Sequence, residues 1–581
     1  MAENATLALL ARRSPSGAWE GRLSSSALST ATAVIALSFE EADASFVSQG
    51  RAWLIATQNE DGGWGDTTAS LSNISTTALC WAALLPSPAS MRAEGWLSNA
   101  AGSIEPHVLK RAIVHRYGKD RTFSVPILTA LAIGGRLGQA PDLWRMVPQL
   151  PFELAACPHR WFQWLQLPVV SYALPALIAI GLARHRRLPS RNPLARFIRW
   201  AIEPRVMSTL ERIQPTNGGF LEATPLTSFV AMSLIAAGLA AHPVTQKCLA
   251  FLRASIREDG SWPIDTNLST WITTLAIDGL ADVLPDADRA QLRDWLLSQQ
   301  FQDEHPYTHA APGGWSWTNL PGAVPDADDT AGALIALRNL GNMNDQAREA
   351  ARKGVCWLLD LQNRDGGIPT FLRGWGHLPF DRSGPDLTAH AIRAWRAWLP
   401  ELPDADRTRV SIAIRNALRY LQNSQQPDGS WIPLWFGNQH APREENRTFG
   451  TARVILALCD ADTSDAMLRG AVDWLIQTQN ADGGWGGAAN GVSSIEETAL
   501  AARSLARVID THPRPEALRS AVDWLRAHTS GGAAFPPTPI GFYFASLWYF
   551  EDLYPLVFTV AALRRIPAKL HDSWQTDCQR S

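Results

Sequence analysis

Asp326-Ala327-Asp328-Asp329-Thr330 crowds three carboxyl side chains into four residues. Carboxylates held that close cannot all ionise cheaply, so such a segment can keep a proton at neutral pH and serve as a general acid. The same residues also suit a helix N-terminus, whose unpaired N–H groups favour acidic side chains. Pro-Asp-Ala-Asp recurs at 285–288 and 403–406, where Arg289 or Arg407 follows and an outer-type helix begins, and those copies read as ordinary acidic caps. Only the segment at 326 carries a third Asp, and only it runs from Gly313-Gly314-Trp315-Ser316-Trp317 straight into an Ala-rich helix. On these residues alone, acid and cap stand as equal readings. Glu496-Glu497, opening Ile495-Glu496-Glu497-Thr498-Ala499, is read first as a cap and alternatively as a base.

The elements around the acid segment follow a repeat. Trp53-Leu54 leads to Gln58-Asn59-Glu60-Asp61-Gly62-Gly63-Trp64, and Trp474-Leu475 to Gln479-Asn480-Ala481-Asp482-Gly483-Gly484-Trp485. Tyr420-Leu421 leads likewise to Gln425-Gln426-Pro427-Asp428-Gly429-Ser430-Trp431, with degenerate copies ending at Phe220, Trp262, Trp315 and Ile368 and a vestige at Phe535. Asp-Gly makes a tight turn at a helix end, Gln caps free backbone groups, and the aromatic packs on the turn, so each copy acts as a buckle. After the buckles come Thr- or Ser-opened helices rich in small residues, such as Thr330-Ala331-Gly332-Ala333-Leu334, Thr388-Ala389-His390-Ala391-Ile392 and Thr451-Ala452-Arg453-Val454. Hydroxyls cap their starts, and small side chains let both faces pack closely. These are expected as inner helices and the Trp/Leu/Gln helices as outer ones. No β pattern stands out. The expectation is an all-α chain of two α/α barrel domains (double-helical toroids), residues 1–264 and 265–581, with the acid segment in the second.

Bulk properties narrow the function. The chain has 581 residues, 46% hydrophobic and 18% charged, enough for two domains around a sizeable cavity. Its 52 basic and 55 acidic side chains nearly balance and form no dense basic stripe, which argues against nucleic acid as a partner. The six cysteines are scattered without C-x-x-C spacing, so neither a metal site nor a secreted disulfide framework is indicated, and a cytoplasmic location fits. Residues 1–17 lack the apolar core of a signal peptide. The run Leu167 to Ala183 is marginal for a bilayer span and reads as a buried helix.

The buckles and the acid segment together resemble the squalene-hopene cyclase and oxidosqualene cyclase group of class II triterpene cyclases, along most of the chain. That family carries Q-x-x-x-G-x-W repeats, its QW motifs, and an Asp-x-Asp-Asp-Thr acid motif. The resemblance implies a cofactor-free cyclase that protonates a terminal alkene of squalene or a similar linear polyprenyl and guides a carbocation cascade. Carbon is a poor base, so the acid must be kept dry and its conjugate base stabilised. By resemblance Asp328 donates the proton, Asp326 and Asp329 tune it, and His390, in Asp386-Leu387-Thr388-Ala389-His390, supports it as a protonated imidazole. Trp317, Phe371, Trp435 and Trp271 match cavity aromatics of the family, whose faces stabilise cations by up to about 2 kcal/mol or more when desolvated. Phe535, Phe542, Tyr543, Trp548, Tyr549 and Tyr554 resemble its terminal cavity wall, whereas Trp64, Trp431 and Trp485 read as structural. A lipid substrate implies monotopic, peripheral attachment to the inner face of a cell membrane, and a homodimer is allowed.

The chain also departs from that pattern. Phe449, before Gly450-Thr451, stands where the family has a hydroxyl-bearing residue, and Phe371 where it often has Tyr, so the acid's reprotonation needs another route. Glutamates of the family's first inner helices are missing from Leu28 to Ala33 and Asn73 to Ala78, and a cavity Trp is replaced near Ser171 and Tyr172. A class II diterpene cyclase acting on a prenyl diphosphate is the enzyme alternative, though no Lys/Arg cluster accompanies the inner-helix starts. A non-catalytic toroid would not need Asp326, Asp328, Asp329 and His390 together, and a protein prenyltransferase subunit would need a zinc set that Cys356 and Cys459 do not supply.

Overall fold

Composition separates the helices into two kinds. Ala27–Leu37 is built from Ala, Ser, Thr, Leu, Val and Ile, and all eleven residues are buried, as expected of a helix packed on every side. Asp345–Leu361 instead buries Ala347, Ala350, Ala351, Gly354, Val355, Leu358 and Leu361, one stripe at helical spacing, and leaves its charged face to solvent. The computed structural model describes residues 1–118, 121–139, 142–158, 161, 173–373, 380–460, 465–542 and 547–567.

The first helix, α1 (Ala2–Leu10), is an outer one. The inner helices that follow are α2 (Ala27–Leu37), α3 (Ile74–Ala83), α4 (Ser124–Ile133), α5 (Leu174–Arg187) and α6 (Thr224–Ala236). A second set comprises α7 (Ser269–Leu280), α8 (Ala327–Leu340), α9 (Pro385–Trp398), α10 (Arg447–Cys459), α11 (Ile495–Arg507) and α12 (Tyr554–Leu563). In the second set each helix packs on the next and α12 returns to α7; in the first, the path from α2 through α3, α4, α5 and α6 returns to α2. The result is an all-α fold of two α/α toroids. The described strands are short: β1 (Ser25–Ser26) pairs with β2 (Trp262–Pro263), and β3 (Ile540–Phe542) with β4 (Leu547–Tyr549). Strands of two or three residues are too brief to leave an alternating pattern in the sequence.

The buckles fasten the toroids through one set of hydrogen bonds. Gln58, Gln214, Gln300, Gln362, Gln425 and Gln479 each donate to the carbonyl of their own buckle glycine and to a carbonyl on the next outer helix. The aromatic's backbone N–H then donates to a Thr hydroxyl in the inner helix that follows, as from Trp64 to Thr77, Trp315 to Thr330, Trp431 to Thr451 and Trp485 to Thr498. The turn requires glycine: Gly429 has φ +95°, and a Cβ there would lie 2.4 Å from the Gly470 carbonyl oxygen.

Residues 1–24, expected with the first domain, pack with the second toroid. α1 lies on α12, an inner helix that has no other outer helix against it among the described residues. Trp19 donates its N–H to Thr273 of α7 and its indole N–H to the Leu9 carbonyl, the same two bonds that an intact buckle makes. The first toroid is closed by its own chain: Trp262, which follows outer helix Pro243–Ser255, docks on Thr30 of α2. Trp19 therefore does for the second toroid what the vestige at Phe535 does not. Ser14-Pro15-Ser16-Gly17-Ala18-Trp19 lacks both the Gln and the Asp of the intact buckles ending at Trp64, Trp431 and Trp485, which hides it in the sequence.

Candidate active site

The buckle threonines set a register for the inner helices of the second toroid. Thr273, Thr330, Thr388, Thr451 and Thr498 each accept the backbone N–H of a buckle residue, so positions counted from them fall at matching levels. Two residues before them stand Trp271, Asp328, Asp386, Phe449 and Glu496; two residues after Thr330, Thr388 and Thr451 stand Gly332, His390 and Arg453. Gly332 leaves space for the imidazole: a Cβ there would be 3.5 Å from His390 Cε1 and 2.9 Å from Thr274 Oγ1.

Asp326 caps α8, its Oδ1 accepting the Asp329 N–H at 2.9 Å, so the capping reading holds for this one residue. Its other oxygen and Asp329 Oδ1 are buried without hydrogen-bond partners. Burial, and then the neighbouring carboxyls, raise Asp329 well above the usual range, and burial raises Asp326 to about 7. Asp328 differs. Burial alone would push it up, but His390 Nδ1 at 2.5 Å and Arg453 Nη2 at 3.5 Å, both on Oδ1, more than offset that and hold it below the ordinary value. Thus two neighbouring groups retain protons while the middle one is a strong acid. By contrast Asp286 and Asp404, in the look-alike segments, are exposed first-turn residues of outer helices.

All three acid residues line an apolar cavity of about 270 Å³ between the two toroids. Trp271, Trp317, Phe371 and Trp435 line it too, joined by Phe229, Phe380, Phe436, Tyr549 and Tyr554. Phe371 meets Trp317 and Trp435 edge-on, with ring centres 6.4 and 6.0 Å apart. Trp271 donates to the Tyr554 hydroxyl at 3.0 Å, and Trp435 to Thr370 at 2.8 Å, which fixes their faces. Among the described lining residues the charged types are all carboxylic: Asp265, Asp326, Asp328 and Asp329.

Three residues expected at the site, Phe449, Phe535 and Trp548, stand off the wall. Phe449 is one layer back, its ring 4.2 Å from that of Phe436, which takes the cavity-facing place. Phe535 is half-buried and outside the lining, and Trp548 is buried outside it too, because the wall from this segment is made by Gly541, Leu547, Tyr549 and Tyr554. Tyr543 lies outside the described residues, as do Ser171 and Tyr172 and the start of the Leu167 to Ala183 run. Glu496 and Glu497 are buried but do not line the cavity: Glu496 accepts from Thr538, and Glu497 from Asn438 and Asn446.

Two residues escaped the sequence reading. Asp265 lies on the wall with its Oδ2 accepting the Trp317 indole N–H at 3.2 Å. Arg453 is the other, and its signal was present: an arginine within the buried stretch Thr448 to Leu458 of an inner helix, at the same distance from its Thr as His390.

The squalene-hopene cyclase N-terminal domain family matches residues 2–199, and the squalene-hopene cyclase C-terminal domain family residues 268–506. The chain belongs to the squalene-hopene cyclase family. Within this class II terpene cyclase family it is 26% identical to enfumafungin synthase of Hormonema carpetanum over 85% of this chain and 42% of that protein. It is 25% identical to a squalene hopane cyclase of Aspergillus fumigatus over 81% of this chain and 75% of that protein. Against a probable squalene–hopene cyclase of Sinorhizobium fredii it is 31% identical over 37% of this chain and 35% of that protein. The chain thus spans less than half the length of two of these three relatives. A solved structure, ent-copalyl diphosphate synthase from Streptomyces platensis, shares the fold at a TM-score of 0.60 and 21% identity, over 97% of this chain and 98% of that one.

Proposed function

We propose that this class II terpene cyclase protonates a terminal alkene of squalene, or a similar linear polyprenyl, and folds the resulting cation into a polycyclic product. Asp328 is the donor. Both of its polar contacts go to Oδ1, which leaves Oδ2 for the cavity, and its side chain retains 16% exposure. Trp271, Trp317, Phe371 and Trp435 present π faces to the cation in a water-poor space. The observation that favours a hydrocarbon is the lining itself. A prenyl diphosphate calls for cationic side chains, and none of the described lining residues is Lys, Arg or His. The fold shared with ent-copalyl diphosphate synthase keeps that substrate class as the competing reading. Incubating detergent-solubilised enzyme with squalene, and separately with geranylgeranyl diphosphate, followed by mass spectrometry of the products, decides between them. Unreacted squalene rejects the proposal.

Asp326 and Asp329 make a strong acid usable at neutral pH. They hold the proton that Asp328 alone would release, so the loaded cluster contains an Asp328-protonated form whose share is constant while the cluster's proton count is constant. Asp326 ionises at about 7, so kcat is expected to be level below that value and to fall as pH rises through it. The same sign applies to what Asp326 contributes to stability: folded, it keeps a proton that an unfolded Asp releases near 4, so its contribution declines as pH rises from about 4 to about 7. A kcat that climbs steadily through pH 7 to 9 would contradict this loading scheme.

The outer helix Pro193–Ile213 carries the membrane reading. Leu194, Phe197, Ile198 and Trp200 are 64, 63, 44 and 70% exposed on it, with Arg191 and Arg196 beside them. An apolar cluster flanked by cations suits insertion into one leaflet, and no described helix is long and apolar enough to cross a membrane. Replacing Phe197 and Trp200 together by Ser is expected to weaken co-sedimentation with anionic phospholipid vesicles by at least roughly tenfold, since each ring buries about 1.5–3 kcal/mol of apolar surface. Undiminished vesicle binding would remove this helix from the proposal.

A further inference from the structure

Two basic groups serve the same oxygen of Asp328, and they are not equivalent. The His390 and Arg453 side chains are 4% and 5% exposed, so both sit in a dry pocket where two positive charges would repel each other. Only the imidazole can shed its proton, since guanidinium stays protonated in proteins. The other charged groups facing the pocket are Asp326 and Asp329 on α8, Asp386 and Arg393 on α9, and Asp278 on α7. Burial first, and Arg453 next, lower His390 to about 4, which makes it an uncharged donor at neutral pH. The guanidinium is held in place. The Trp271 and Phe449 rings lie 5.9 and 5.8 Å from its central carbon, so Phe449, though absent from the cavity wall, serves as a shelf for the charge.

We propose that Arg453, rather than a protonated His390, is the positioning residue whose charge stabilises the Asp328 carboxylate when the proton leaves, with His390 as a neutral hydrogen-bond donor that orients Oδ1. The inference rests on Asp328 being the proton donor. In that step the Oδ2–H bond breaks with its electron pair staying on the carboxylate, the alkene π pair forms the new C–H bond, and the other alkene carbon is left as a cation. The anion forms against a charge already in position, so no group has to reorganise or acquire a proton as the bond breaks.

The test uses Arg453→Met, Arg453→Lys and His390→Asn in the full chain. Arg453→Met is expected to lower kcat roughly 10²–10³-fold, as for other removed anion-stabilising donors, with KM changed by less than about threefold. Arg453→Lys recovers at least roughly tenfold of that loss, because a single Nη2 contact asks for a point charge and no planar fork. His390→Asn, which keeps an uncharged N–H donor, loses less than Arg453→Met. A kcat for Arg453→Met within about threefold of the parent, or His390→Asn as impaired as Arg453→Met, overturns the proposal. Infrared difference spectra against Asp328→Asn read the charge with no substrate present. A carboxylate band at neutral pH is expected in the parent and the Lys variant, and a protonated carboxyl band in Arg453→Met; a carboxylate band surviving in the Met variant overturns the proposal. Failure of the parent to cyclise any polyprenyl would sink the catalytic reading while leaving this spectral test of the Arg453 charge in force.

Discussion

Asp328→Asn is expected to abolish cyclisation, a fall of at least ~10⁴-fold, because an amide has no proton acidic enough to give to carbon. The substitution is close in shape and keeps an oxygen to accept from His390 Nδ1, so the near-ultraviolet circular dichroism of the packed tryptophans should persist. It also strands a buried cation. Arg453 loses its 3.5 Å partner at Asp328, and breaking a buried pair from one side typically costs about 3–5 kcal/mol. The double variant Asp328→Asn with Arg453→Met should therefore unfold at a higher temperature than Asp328→Asn alone while remaining inactive. Turnover retained in the single variant would end the assignment of Asp328 as donor. A double variant no more stable than the single one would show instead that the ion pair contributes little.

The second large effect is expected far from the cavity. Trp19 is completely buried and ties α1 to α7 through Thr273. Trp19→Ala should cost about 3–5 kcal/mol, the usual range for emptying a tryptophan site in a core. The damage should appear in the second toroid although the residue lies near the start of the chain. Amide hydrogen exchange resolves this: protection should fall in residues 2–10, in α7 and in α12, and be kept in α3 and α4. Trp19→Phe should cost much less, because it retains most of the packing and gives up chiefly the indole bond to Leu9, worth about 1 kcal/mol. Loss of protection spread evenly over both toroids would contradict the docking of α1 on the second.

What could be read in the sequence was what repeats. The Gln, Asp-Gly and aromatic positions of the buckles are forced by backbone geometry that barely tolerates substitution, so Trp64, Trp431 and Trp485 could be given structural roles from their spacing. The acid segment stood apart from its look-alikes because it carries a third Asp and opens an Ala-rich inner helix, and all three of its carboxyls do reach the cavity wall. Features joining distant parts of the chain were harder to see. Trp19 finds its hydroxyl partner 254 residues away, and no local pattern announces that. Phe449 shares the register of Asp328 and Asp386, yet the layer of side chain in front of it, Phe436, comes from a loop whose depth cannot be counted from a helix period. Arg453 looked like an ordinary arginine until the register of Thr330, Thr388 and Thr451 set it beside His390.

The closure of each toroid by a segment distant in sequence dictates an order of assembly. On the ribosome, α2 is made early but cannot receive its Trp262 cover until more than two hundred further residues have emerged, and α1 has no surface to rest on until α12, the last described helix, is complete. The first toroid can close once Trp262 has emerged, whereas the second must wait for α12 before α1 can dock. Closure links so distant in sequence make for slow folding, with long-lived exposure of apolar inner helices. Chaperone supply and growth temperature should therefore limit the yield of active protein more than the strength of its promoter does.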